Sequence, residues 1–153
     1  MQPRLAAAAA AAVVVTIAAT GCNILTPQAT QIEYDASDGV SGTTGTVTMH
    51  NAMLIGEPDG SELNLAVTFT NEGEATFVEV RVEDESQDVR VPAGVTTFGF
   101  PDQQLIFETP SEFTYGKLQN VSFAADGAEP VGLGVPTIST EVVGYESYAP
   151  AAE

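Results

Sequence analysis

Apolar and polar residues alternate strictly over short runs from Thr46 onward, and turn-forming clusters interrupt them at intervals of roughly ten residues. Beyond the amino-terminal segment, no stretch repeats with helical period. Together these observations predict an all-β domain, built as an antiparallel two-sheet sandwich of about seven strands.

The first element is not part of that sandwich. The 153-residue chain begins with a short basic segment containing Arg4, then an apolar run from Leu5 to Ala19, then small residues before Cys22, its one cysteine. This is the layout of an export signal, and Ala19-Thr20-Gly21-Cys22 has the form of a site where a lipoprotein precursor is cut and acylated. Small residues let the extended segment enter a peptidase, and the thiol receives the diacylglyceryl group. Ala19 stands where leucine is commonest, a weaker variant of the motif. The run is shorter than the ~20 residues a spanning helix needs, and alanine is only weakly apolar. Residues 1–21 are therefore expected to form a lipoprotein signal peptide. Cys22 would carry the acyl chains, palmitate among them, that hold the protein on the extracytoplasmic face of the cell membrane. With one thiol, no internal disulfide can form.

Residues 22–45 follow as the lipidated cysteine and a polar tether rich in Thr, Gln, Ser, Gly and Asp, with a short strand near Gln31 to Tyr34. The β-sandwich is expected over 46–138. In its first strand Val47, Met49, Met53 and Ile55 face one way and Thr46, Thr48 and His50 the other. Leu63, Leu65, Val67 and Phe69 alternate with Glu62, Asn64, Thr68 and Thr70, and Val78, Val80 and Val82 with Glu79, Arg81 and Glu83. Turns fall between the runs. Glu57-Pro58-Asp59-Gly60 is one, Asn71-Glu72-Gly73 can close a hairpin, and Pro92-Ala93-Gly94 separates Val89 to Val91 from Thr96 to Phe100. Further strands are expected at Leu105 to Glu108, Leu118 to Ala124 and Val131 to Ile138, the last two joined through Asp126-Gly127. Strand number and spacing make the sandwich immunoglobulin-like, without the Cys and Trp markers of that core. Residues 139–153, with Gly144 and Pro150, read as a loose carboxy-terminal tail.

Cleavage before Cys22 would leave Arg81, Arg90 and Lys117 as the only Lys and Arg residues against all 21 acidic residues. Such a surface repels polyphosphates, which argues against nucleic acid as a partner, and repels anionic headgroups, so the domain should stand off the membrane on its lipid. Stable anchoring then rests on two or more acyl chains.

Two clusters merit a ligand test. Met49, His50 and Met53 are the only His and Met residues after the signal, and soft thioethers with imidazole suit Cu(I). Alternation sends His50 away from both methionines, unless a bulge at Asn51-Ala52 reverses which side chains share a face. The second cluster, Glu83-Asp84-Glu85-Ser86-Gln87-Asp88, is expected to be a loop whose Glu83, Asp84, Glu85 and Asp88 offer oxygens to Ca²⁺, although the spaced order of a dedicated calcium loop is missing. Core methionines and a solvated acidic turn are the simpler account of both, so no metal and no cofactor is expected. Catalysis is not expected either, because His50 is the sole imidazole, Cys22 is committed to lipid, and no Trp marks a cleft.

The lipobox, the segment Tyr34-Asp35-Ala36-Ser37-Asp38-Gly39-Val40, the run Gly45-Thr46-Val47-Thr48-Met49-His50-Asn51-Ala52 and Val89-Arg90-Val91-Pro92-Ala93-Gly94 together resemble a group of small actinobacterial lipoproteins of uncharacterised function. Some of its members carry the label DNA modification methylase. Neither the Asp/Asn-Pro-Pro-Tyr/Phe motif nor a Gly-x-Gly-x-x-Gly loop that such a label would require is present. More remotely, the architecture is similar to that of periplasmic copper chaperones, which hold Cu(I) with Met and His. Their pattern has further His and Met ligands downstream, and this chain has none. The resulting expectation is a non-catalytic, lipid-anchored structural or protein-interaction domain that contacts another envelope protein through an edge strand or loop. A metal-handling binding protein, for copper or calcium, is the alternative.

Overall fold

A computed structural model describes residues 3–19, 37–58, 60–108 and 114–150. The chain divides into two compact units, Met1–Tyr34 and Asp35–Glu153. In the first, the alanine-rich run forms helix α1, Pro3–Ala19. No helix among the described residues is long and apolar enough to cross a membrane. Cys22 and the strand expected near Gln31 to Tyr34 lie outside the described residues.

The described residues of the second unit are all β, as the alternation predicts, with nine strands among them rather than about seven. They are β1 Val40–Thr44, β2 Val47–Gly56, β3 Glu62–Asn71, β4 Thr76–Val82, β5 Glu85–Val91, β6 Gly94–Phe98, β7 Ile106–Glu108, β8 Leu118–Ala125 and β9 Val131–Ser139. One added strand, β1, lies in the segment assigned by composition to the tether, where it pairs antiparallel with β2. Strand order is β5-β4-β8-β9-β2-β3-β6, with β1 on β2 and β7 on β3.

The sheet is not wholly antiparallel. Residues 131–136 of β9 pair antiparallel with β8, whereas Thr137, Ile138 and Ser139 run parallel to Leu54, Ile55 and Gly56 of β2. One strand thus serves both layers. The layers face each other across a core in which Phe69 of β3 meets Phe123 of β8 edge to face at 6.3 Å, and Val47, Leu65, Val80 and Val121 are wholly buried. Among the described residues, every buried one belongs to the unit from Asp35 to Glu153, so that unit carries its own core and meets the criterion for folding alone.

The turns divide into two kinds. Gly60 N donates to Glu57 O at 2.9 Å in the β2–β3 hairpin, and Gly127, at φ 72°, closes β8 onto β9. Asn71-Glu72-Gly73, by contrast, closes no hairpin, because β4 pairs with β5 and β8 in the opposite layer. Asn71 makes that corner instead. Its buried amide donates to Glu74 O at 2.7 Å and Val91 O at 3.3 Å, while its Oδ1 accepts from Gly73 N at 2.9 Å.

The half-buried pattern expected of β2 and β3 also fails at their centres, where both faces are covered. Met53, Ile55 and Ala66 form a second small core beneath Ile138, Tyr145 and Tyr148. The segment read as a loose tail is therefore packed on the sheet. A single 3-10 turn, Glu146–Tyr148, forms there, and Asn64 Nδ2 donates to Tyr148 O at 2.9 Å and Gln104 Nε2 to Ala149 O at 2.8 Å. Three tyrosine and phenylalanine rings stack along it, Phe100 with Tyr148 at 5.1 Å and Tyr148 with Tyr145 at 6.1 Å.

Candidate functional site

The Met and His cluster is shaped by one backbone irregularity. Asn51 adopts φ 53°, and the β2–β3 register slips between His50 and Met53. Asparagine tolerates this left-handed conformation, and the extra residue makes a β-bulge. Asn51 Oδ1 is itself fixed by accepting from Gly39 N at 2.9 Å. No side chain fits at Gly39, because a Cβ there would lie 2.5 Å from the Asn51 carbonyl carbon.

The bulge redistributes the candidate ligands. Met49, opposite Phe69, is fully buried between the layers. His50, opposite Thr68, is exposed on the outer face. Met53, opposite Ala66, belongs to the outer cluster under Tyr148 and is 5% exposed. Met49 and Met53, expected on one face, are on opposite faces; His50 and Met53, expected apart, share one. They are offset by two residues of β3, roughly 7 Å along the strand. Beside Met53 lies a cavity of about 110 Å³, lined also by Asn51, Thr68, Thr97, Phe100 and Tyr148.

The acidic segment is not the expected loop. Glu83, at φ 51°, and Asp84 form a tight turn, and Glu85 to Asp88 continue as edge strand β5, where successive side chains point to opposite faces. Two of the four carboxylates are engaged in holding the fold. Glu83 Oε1 accepts from Gln119 Nε2 at 3.0 Å, and Glu85 Oε2 accepts from the main-chain N of Glu108 at 2.8 Å. Gln87 donates to Ile106 O, so β5 and β7, edges of opposite layers, are stitched together by side chains. Among the described residues, no three His, Cys, Asp or Glu side chains lie together as a metal site.

Buried polar groups show the same structural use. Among the described residues, Thr44, Asn64, Asn71 and Thr137 are the buried polar side chains. Thr44 Oγ1 donates to Glu129 O at 2.9 Å and accepts from Ala125 N at 3.2 Å. Asn64 Nδ2 reaches Gly99 O at 2.7 Å as well as Tyr148 O, although its Oδ1 has no protein partner. Alternation gives no sign of the last role, since it places Asn64 in water.

A larger groove, of about 570 Å³, lies where β8 begins and β9 ends. Tyr115, Lys117, Leu118, Ile138, Val142 and Tyr145 line it, together with Asp38. The Tyr145 hydroxyl donates to Asp38, and chiefly for that reason its pKa is pushed up to about 12. Burial, followed by the nearby Glu57 charge, raises that of Tyr115, whose hydroxyl donates to Glu57 O at 2.6 Å. Sequence reasoning passed over this groove. The available signal was Lys117, the one lysine in the chain.

No protein-family model and no curated protein matches the chain. Solved structures do. The chain is similar to a copper-bound PCuAC domain from PmoF2, at 10% identity and a TM-score of 0.51, over 65% of this chain and 97% of that one. An apo PCuAC domain from PmoF1 matches at 15% identity and a TM-score of 0.52, over 65% and 98%. The apo PmoF2 domain matches at 13% and 0.50, over 65% and 94%. At these identities the likeness is one of fold, and at that level it agrees with the expected similarity to copper chaperones.

Proposed function

We propose that this chain is a non-catalytic binding domain of the cell envelope, tethered through acylated Cys22, on a scaffold of the kind PCuAC domains use. The observation supporting a binding rather than a catalytic role is the disposition of its polar side chains. The buried ones, Thr44, Asn71 and Thr137 among them, bond to nearby main chain and do not converge on a common point. The sole histidine stands exposed on a strand opposite Thr68, with no acidic residue paired to it in register. Acid–base or covalent catalysis needs such groups within hydrogen-bond reach of one another.

Strand addition at β6 is the proposed mode of contact with another envelope protein. This strand ends the order of one layer and carries Val95, 70% exposed, whereas the β5 edge is occupied by its links to β7. A photo-crosslinking residue at Val95, in the full chain expressed in its own envelope, should trap a partner protein that the same residue at Asp126 does not. Identical products from both positions, or none from Val95, would count against this mode.

Copper handling is the second reading, favoured by the bulge that brings His50 and Met53 to one face. Imidazole and thioether on a shared face make two ligands for Cu(I), and the third would come from the incoming copper donor. Calorimetry with Cu(I) on residues 23–153 separates the readings. Submicromolar binding that disappears in His50→Ala establishes the copper role, and its absence leaves the protein-binding role.

A further inference from the structure

Lys117 is the lone lysine in a chain with 21 acidic residues, yet among the described residues it forms no ion pair. The one salt bridge there joins Arg81 to Glu79. The 570 Å³ groove that Lys117 lines holds one carboxylate, Asp38, which accepts from Tyr145, and several apolar side chains, with Leu118 70% exposed and Val142 49% exposed and Ile138 and Pro136 alongside. Apolar side chains gathered at a groove within the ~300–1,000 Å³ range of ligand sites gain free energy when covered.

The site is held in shape without a ligand. Buried Thr137 donates its hydroxyl proton to Lys117 O at 2.9 Å and accepts from Lys117 N at 3.3 Å. Main-chain bonds from Gly116 N to Thr137 O at 2.9 Å and from Thr137 N to Lys117 O at 3.0 Å add to this. Such preorganisation lowers the ordering cost of binding.

We infer that the groove binds a monocarboxylate with a long apolar body, a fatty acid by class, with its carboxylate on the Lys117 ammonium and its body across Leu118, Val142 and Ile138. The charge of the ligand follows from its surroundings. A neutral apolar molecule would strip water from the ammonium and return no counter-charge. A polyanion would meet Asp38 in the same groove and the field of a strongly acidic protein. A single negative charge satisfies both conditions. The inference is independent of how the chain is anchored.

Fluorescence titration of residues 23–153 with cis-parinarate tests it, because this fragment contains the whole Asp35–Glu153 unit and lacks Cys22, so no acyl chain of its own competes. Saturable one-to-one binding is expected, displaced by oleate and about tenfold weaker for the methyl ester of the probe. Lys117→Gln and Leu118→Asp should each weaken binding by about tenfold or more while leaving the thermal midpoint unchanged, since both side chains are exposed. The absence of saturable binding, equal affinity for acid and ester, or variants that bind like the wild type would overturn the proposal.

Discussion

Asn51 carries its left-handed backbone within a strand whose other residues are extended, and the result is a change of partners for every side chain after it. The sequence raised a bulge at Asn51-Ala52 as an alternative but could not place it, because Ala52, Met53, Leu54 and Ile55 form an unbroken apolar run that fits either face. The layer-facing positions are a different matter. Val67, Phe69, Val80 and Phe123, read as core from the sequence, are 2%, 0%, 0% and 0% exposed. Phe69 meets both Phe98 and Phe123 edge to face, so its removal leaves a void that two fixed rings cannot fill. Phe69→Ala or Phe123→Ala should therefore cost about 3–5 kcal/mol in urea unfolding. A change within about 0.5 kcal/mol would show that these faces are assigned wrongly. Tyr145 gives a second test at this scale. Its hydroxyl donates to Asp38, which raises its pKa from 10.0 to about 12. Because the folded value is the higher one, the stabilisation is fully present below pH 10 and disappears as pH rises through 12. The stability difference between wild type and Tyr145→Phe, measured by denaturant unfolding, should accordingly shrink across that interval. A constant difference would mean that the bond to Asp38 is not formed.

Most strands were legible because one face of each meets the interlayer core and the other meets water. β8 and β9 begin at the residues expected, Leu118 and Val131, and end within one residue of expectation. Where the reading failed, the cause was a contact distant in sequence. Asn71-Glu72-Gly73 has hairpin composition, but only long-range pairing decides that β4 joins the other layer. Asn64 has the polarity of an outward residue and is buried because the segment through Tyr148 lies over it. The acids at Glu83 to Asp88 look like a loop in composition, and the pairing of β5 with β4 makes most of them strand. The carboxy-terminal segment lacks both periods and was missed for that reason. Its packing predicts that ending the chain after Val143 uncovers Met53, Ile55 and Ala66 and removes one of the two acceptors of the Asn64 amide. Binding of a hydrophobic dye should increase and the thermal midpoint should fall in that truncation. An unchanged midpoint would show that the segment rests on the sheet without stabilising it.

At the scale of the whole molecule, alternation and the spacing of turns identified the all-β class, and the likeness to PCuAC domains agrees with it at the level of fold. The bridging of the two layers by β9 was not legible, since a strand that changes partners midway has the same alternation as one that does not. Neither was the lysine groove, whose residues come from segments far apart in the chain. The proposed anchor, in contrast, rests on a purely local signal in the sequence. Cys22→Ser in the full chain should abolish labelling by a lipid precursor and release the product from membranes. Continued membrane retention, with mass spectrometry finding Met1 still attached, would refute lipoprotein processing. The charge adds a salt dependence. With 21 acids against 4 basic residues, self-repulsion opposes the compact state, so the thermal midpoint should rise as added salt screens the surface.

A ribosome delivers residues in order, and β9 is the last strand to arrive. Until Val131–Ser139 has emerged, β2 has no partner in the opposite layer, and the strand pairing that joins the two layers cannot form. Closure entropy is incurred late and all at once, at a contact between Leu54 and Thr137 that spans most of the domain. The growing chain can form hairpins such as β2–β3 and β4–β5 before that, but strand pairing closes the two layers into one body only when the final strand is free.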